Sequence, residues 1–200
     1  MRPPISLGLL VVFALVTFGL RSAQHRRETG SSGFVGMSSR VGSAGWLGGV
    51  LFGLSCVLAA GAPVAELAAL VGPVLPVTRA MAIAGAAIAA LGIGVTYAAQ
   101  RAMGRSWRIG VRESERTELV VSGPFRIVRN PIFSCMMLTG IGLALLLPNP
   151  IAIASLACLF TGVELQVRAV EEPYLRRVHG ERYAAYCARV GRFVPFLGRG

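Results

Sequence analysis

"IFSCMMLTGIGLALLLPNPIAIASLACLFTGVELQV", Ile132–Val167, decides the fold. Two apolar runs, Ile132–Leu147 and Ile151–Val167, are parted only by Pro148, Asn149 and Pro150. Proline does not continue a helix interior, and three residues leave room for nothing but a tight turn. Each run approaches the ~20 residues with which a helix crosses a bilayer core. The stretch therefore predicts an antiparallel helical hairpin that returns the chain to the face it left.

The rest of the sequence fits that reading. Of 200 residues, 54% are hydrophobic and 14% charged, and mean hydropathy is +0.64, too apolar for an ordinary soluble domain. Three further apolar runs, Ile5–Leu20, Trp46–Val64 and Ala80–Ala99, precede the hairpin. A stretch between them, Leu67–Val77, is interrupted by Pro73 and Pro76 and reads as a loop or an interfacial segment. The expected architecture is an all-α integral membrane protein of about five transmembrane helices, spans four and five forming the hairpin.

Charge placement orients it. The net charge is +11 and every basic residue is arginine, so the excess persists at any physiological pH. With the N-terminus outside, eighteen of the twenty arginines fall on the cytoplasmic side and only Arg2 and Arg79 face out. Arginines lying between apolar runs suit membrane topology better than nucleic acid, so no nucleic-acid partner is expected. Reading residues 1–23 as a cleaved signal peptide would send Arg26, Arg27 and Arg40 outward, against the charge rule, so they are read as a first span. Cys56, Cys135, Cys158 and Cys187 are widely spaced, with only His25 and His179 as imidazole partners, and no metal site is expected.

The chain divides into residues 1–99, Gly- and Ala-rich helices that read as scaffold, and residues 100–200, which hold seven of the nine glutamates and fourteen of the arginines. Two polar segments flank the hairpin and must meet on the cytoplasmic face. In "VVSGPFRIVRNP", Pro131 suits the first position of a helix, leaving backbone N–H groups free for a carboxylate or hydroxyl. The same residues would also serve as an interfacial anchor with snorkelling arginines. In the second segment Glu164, Arg168 and Glu171 or Glu172 share one face at helical spacing, and Pro173 should bend the chain at Glu172. This face reads as an internal charged site or as a salt bridge closing a helix end. Beyond it an amphipathic helix with Tyr183, Tyr186 and Val190 on one face suits a lid over the site or a passive interfacial helix.

"LVVSGPFRIVRNPIF", a tight hairpin, then "RAVEEPYLRRVHGERYAAYCARVGRFVPF" resembles the isoprenylcysteine carboxyl methyltransferase family and the related phospholipid methyltransferases. The likeness covers about Gly104 to Gly198. It implies an integral membrane enzyme that binds S-adenosylmethionine from the cytoplasm and methylates a lipid-like small-molecule or prenylated substrate arriving through the bilayer. By position, Leu119, Val120, Gly123, Phe125, Arg129, Asn130 and Pro131 would line the cofactor pocket. Arg168 and Glu172 would form the catalytic pair, with Glu171 beside them. Four positions depart from the family pattern: Asn130 stands for histidine, Phe125 and Phe133 for tyrosines, and Thr117 for a histidine of the eukaryotic members.

The chemistry implied is carboxyl O-methylation, in which an already ionised carboxylate needs positioning but no general base. Lipid-amine N-methylation is the near alternative and would need a base, for which the glutamates are the available groups. A membrane reductase using NADPH and a non-catalytic scaffold binding anionic lipid are more distant alternatives.

Overall fold

The computed structural model describes residues 1–34, 36, 39–110 and 118–200, so Thr117 lies outside the described residues. Helix α1 (Arg2–Ala14) continues through a π-helical turn, Leu15–Leu20, into α2 (Arg21–Thr29), which ends on Gly30 at φ 81°, the left-handed stop glycine favours. Ser43 caps α3 (Ala44–Leu67) by accepting from the Trp46 N–H at 3.2 Å, and Thr78 caps α4 (Arg79–Ala102) from Met81 at 3.1 Å. Between α3 and α4 the proline-broken stretch is irregular, as its sequence requires.

The hairpin arms are α5 (Pro131–Leu146) and α6 (Pro150–Gln166). Asn149 makes the turn compact: it is fully buried, and its side chain accepts from the Ala152 N–H at 2.9 Å. Its Nδ2 donates to the Ala62 carbonyl and to Glu66, both at 3.1 Å. Arg2 also reaches Glu66, at 3.3 Å, and the Val74 N–H donates to the Pro148 carbonyl at 2.8 Å. The start of α1, the end of α3, the loop before α4 and the hairpin turn therefore share one end of the molecule. At the other end Arg101 of α4 pairs with Glu28 of α2 at 3.2 Å.

Each hairpin arm packs intimately on an earlier helix. Gly85 and Gly92 of α4 abut Gly142 and Thr139 of α5, so closely that a Cβ on Gly142 would lie 2.4 Å from the Ala89 nitrogen. Gly48 of α3 meets Gly162 of α6 in the same way, and Ser155 donates to the Ser55 carbonyl at 2.8 Å. Apolar burial drives little association in lipid, so small residues that let backbones approach define these two antiparallel pairs. The arms touch each other through Met137, Val163 and Val167, packed with Phe52, Phe133 and Phe193.

Arg2–Thr29, Ala44–Leu67, Arg79–Ala102 and the continuous run Pro150–Arg189 are long and apolar enough to cross a membrane. Pro131–Leu146 is apolar but only 16 residues long, about 24 Å at the α-helical rise.

One local expectation is corrected. Glu172 keeps helical dihedrals (φ −61°, ψ −45°) despite Pro173. The chain instead accommodates the proline by a π-helical turn, Val167–Glu171, just before it, because proline has no N–H to close the preceding turn. α7 (Glu172–Arg189) breaks at Gly180 (φ 49°, ψ −128°), and Tyr183 and Tyr186 are buried against Leu119 and Cys187.

Candidate functional site

The π turn decides the site's geometry. It adds a residue to one turn, so positions four apart across it no longer stand one above the other. Arg168 accordingly pairs backward with Glu164 on the surface, the two side chains 59% and 41% exposed, and does not meet Glu172. Glu172 turns inward and is buried.

There Glu172 joins the two polar segments. Its Oε1 accepts from Arg129 Nη2 at 2.9 Å and from Arg192 Nε at 2.6 Å, and its Oε2 from Arg192 Nη2 at 3.0 Å. Arg129, whose side chain is 1% exposed, also donates to the carbonyls of Val190 at 2.7 Å, Cys187 at 3.2 Å and Gly198 at 3.1 Å. Its guanidinium thus caps the C-terminal carbonyls of α7, where a cation is favoured. The chain after α7 runs beside Val128–Asn130: the Arg129 N–H donates to Gly191 O at 2.8 Å and the Asn130 N–H to Arg192 O at 3.0 Å. Ser134, in the first turn of α5, donates to Phe193 O at 2.7 Å. Two segments some forty residues apart in sequence are therefore locked together at one end of the helices.

Above this lock lies a cavity of about 690 Å³, within the range of small-molecule sites. Leu119, Val120, Phe125, Arg129, Asn130, Pro131 and Glu171 all line it. Gly123 is not among the lining residues; it is exposed at φ 58°, a conformation that favours glycine. Asn130 precedes Pro131 at the start of α5, and its Nδ2 donates to Arg192 O at 3.3 Å, so the amide in histidine's place ties the wall to the tail.

Glu171 and Glu172 lie past the end of α6 at Gln166 and outside the fifth apolar run, Ile151–Val167. Burial pushes the Glu171 carboxyl up to about 7, Arg108 opposing and Glu172 adding to the rise. Glu172 is also desolvated, but hydrogen bonds from Arg192 and Arg129 outweigh burial and hold its carboxyl below the usual range. Two adjacent carboxyls thus take opposite roles, one a constant anion and one poised to titrate near neutrality.

Sequence reasoning missed several lining residues. Trp107 is 2% exposed, with Arg21 stacked 4.8 Å from its ring and His25 edge-on at 5.5 Å. Tyr174 receives Arg108 at 5.3 Å. Gln100 and Gln166 add amides from α4 and α6. Only a lone polar residue at the end of an apolar run marks each glutamine, and interface positions carry the same signal. Among the described residues no cluster of metal-ligating side chains occurs.

An all-helical membrane fold with a buried, partly charged cavity at one end is the class that fold and site define. Residues 80–182 match the phospholipid methyltransferase family, and the chain belongs to it. It is 32% identical over 96 residues to protein-S-isoprenylcysteine O-methyltransferase B of Arabidopsis thaliana, and 28% identical over 96 residues to protein-S-isoprenylcysteine O-methyltransferase A of that plant. Each alignment covers 47% of this chain and 49% of the relative, so the chain spans about half the length of the curated relatives it matches. Its fold is similar to that of the eukaryotic intramembrane Ras methyltransferase, isoprenylcysteine carboxyl methyltransferase: the TM-score is 0.62 at 22% identity, over 98% of this chain and 68% of the other.

Proposed function

We propose that the protein is a five-span integral membrane methyltransferase, dependent on S-adenosylmethionine, that O-methylates the carboxylate of a lipophilic, isoprenylcysteine-like acid. The observation that carries this is the meeting of Leu119–Pro131 with Glu171–Tyr186 around one cavity, held by the buried Arg129–Glu172–Arg192 cluster. The names of the relatives supply the acceptor class, and the concentration of arginines at one set of loops supports an N-terminus outside and the site in the cytoplasm.

The residues fit the methyl donor. Arg129 Nε is buried without a partner among the described residues and Arg129 lines the cavity, so a donor there suits an anionic or hydroxyl group. Trp107, Phe125 and Tyr174 offer aromatic walls for a base. When bound, S-adenosylmethionine supplies an electrophilic methyl group on a sulfonium. Leu119, Val120, Asn130 and Pro131 would hold it, Glu172 keeps Arg129 oriented, and the apolar lining excludes water, which favours reaction between opposite charges. Arg168, paired with Glu164 at the surface, would act on an arriving acidic headgroup only by leaving that partner.

Glu171 favours a second reading. A carboxyl titrating near 7 at the cavity wall suits a general base for an amine acceptor, and the family description names phospholipids. Incubating the protein in nanodiscs with methyl-labelled S-adenosylmethionine and lipid extract separates the two. Label released from lipid by mild base identifies an ester; label that survives base identifies an N-methyl product, and no transfer to any lipid overturns both.

A further inference from the structure

The cavity contains an acceptor that no described residue satisfies. Gln100, in the last turn of α4, is 3% exposed and lines the cavity, yet its Oε1 is buried without a hydrogen-bond partner among the described residues. Folded proteins pair the great majority of such atoms, since a buried unpaired amide forfeits its hydration and gains nothing in return. Leucine would pack an apolar helix at this position without that cost, so a glutamine here suits a polar group that enters the cavity.

The helix register says what stands opposite. In the antiparallel α4–α5 pair Gly85 meets Gly142 and Leu146, and Gly92 meets Cys135 and Thr139. Two turns further along α4, the same register brings Gln100 level with Arg129–Pro131. Arg129 Nε, on the same cavity, is likewise buried without a partner. One end of the cavity therefore presents an unused acceptor from α4 and an unused donor from the segment before α5.

Resting on the methyl-donor reading above, we propose that Gln100 is a specificity residue of this cavity, its amide oxygen accepting a hydrogen bond from an N–H or O–H group of a bound ligand. Arg129 Nε donates to an acceptor on the same end of that ligand. Two molecules carry such a donor beside an acceptor: the methyl donor, through the ammonium and carboxylate of its amino-acid end, and an acylated prenylcysteine, through the amide N–H next to its carboxylate. Selection acts through the donor, because a ligand lacking it leaves Oε1 buried and unpaired.

The test uses the full chain in nanodiscs as parent, Gln100→Leu and Gln100→Glu, the last retaining an acceptor oxygen. Without ligand, Gln100→Leu is expected to melt at or above the parent, because it removes an unsatisfied polar group. If the hydrogen bond comes from the methyl donor, Kd for S-adenosylhomocysteine rises at least tenfold in Gln100→Leu and recovers to within about threefold in Gln100→Glu. If it comes from the acceptor, that Kd holds while KM for N-acetyl-S-farnesylcysteine rises at least tenfold at unchanged kcat. A Gln100→Leu protein that melts lower with both constants unmoved gives the glutamine a structural role and overturns the proposal. A stable variant with both constants unmoved overturns it too, leaving the methyl-donor reading intact. A parent that binds no S-adenosylhomocysteine overturns that reading and this proposal together.

Discussion

Glu172 is the residue on which the two polar segments depend. Replacing it with alanine leaves Arg129 buried without its counter-ion, a change that costs about 3–5 kcal/mol where a buried pair is broken. Glu172→Ala is expected to lower the melting temperature sharply in detergent and to abolish ligand binding. Arg168→Ala removes an exposed pair worth roughly 0–1 kcal/mol and should melt like the parent. Equal melting of the two variants would contradict the assignment. The neighbouring Glu171 predicts a pH effect. Its folded pKa, about 7, lies above the unfolded value near 4.5, so between those limits the folded chain binds the extra proton and stability declines as pH rises, levelling off above 7. Glu172 works in the opposite sense: its stabilisation is present above the unfolded carboxylate value and is lost as pH falls through its depressed folded one. Melting curves from pH 5 to 8 should therefore slope downward for the parent and flatten in Glu171→Gln; a slope unchanged by the substitution would reject the assignment. The sequence made Arg129, Glu171 and Glu172 legible as candidates through charge beside an apolar run. It concealed their pairing, because the i, i+4 rule assumes 3.6 residues per turn and the π turn at Val167–Glu171 breaks that count. Arg192 comes to Glu172 only through the fold-back of the tail.

At the scale of elements, glycines set the spacing between helices. A Cβ at position 142 would meet Ala89 N at 2.4 Å and Gly85 O at 2.7 Å, both backbone atoms that move only if α4 and α5 separate. Gly142→Ala is expected to destabilise by about 1–3 kcal/mol, as overpacking does. Gly94, on the same helix as Gly85 but with nothing within 4 Å of its Cβ position, is the control. Gly94→Ala should be neutral or stabilising by up to about 1 kcal/mol. Thermal melts of the two variants in one detergent decide the matter, and a Gly142→Ala protein as stable as the parent would refute the close approach. The hairpin itself was legible from Pro148-Asn149-Pro150. That its arms pack chiefly on α4 and α3 was not, because Gly- and Ala-rich faces announce close packing without naming the partner helix.

At the scale of the whole molecule, composition and arginine placement were enough to predict membrane helices and a polar end. The full lining of the cavity was not legible, since Gln100 and Trp107 join the two polar segments only when α4 and the stretch after it converge on them. The proposed topology places both polar segments in the cytoplasm. Single cysteines introduced at Ser32 and Arg199 in a background without native cysteines should resist an impermeant thiol reagent in right-side-out vesicles, and one at Val74 should react; reaction at Arg199 would reverse the orientation. The central claim, that the cavity between the two polar segments holds a nucleoside methyl donor, is tested most directly by a structure determined with saturating S-adenosylhomocysteine. The account predicts nucleoside density inside the cavity of about 690 Å³, against Arg129, Asn130 and Pro131. An empty cavity at saturation, or density elsewhere on the protein, would contradict it.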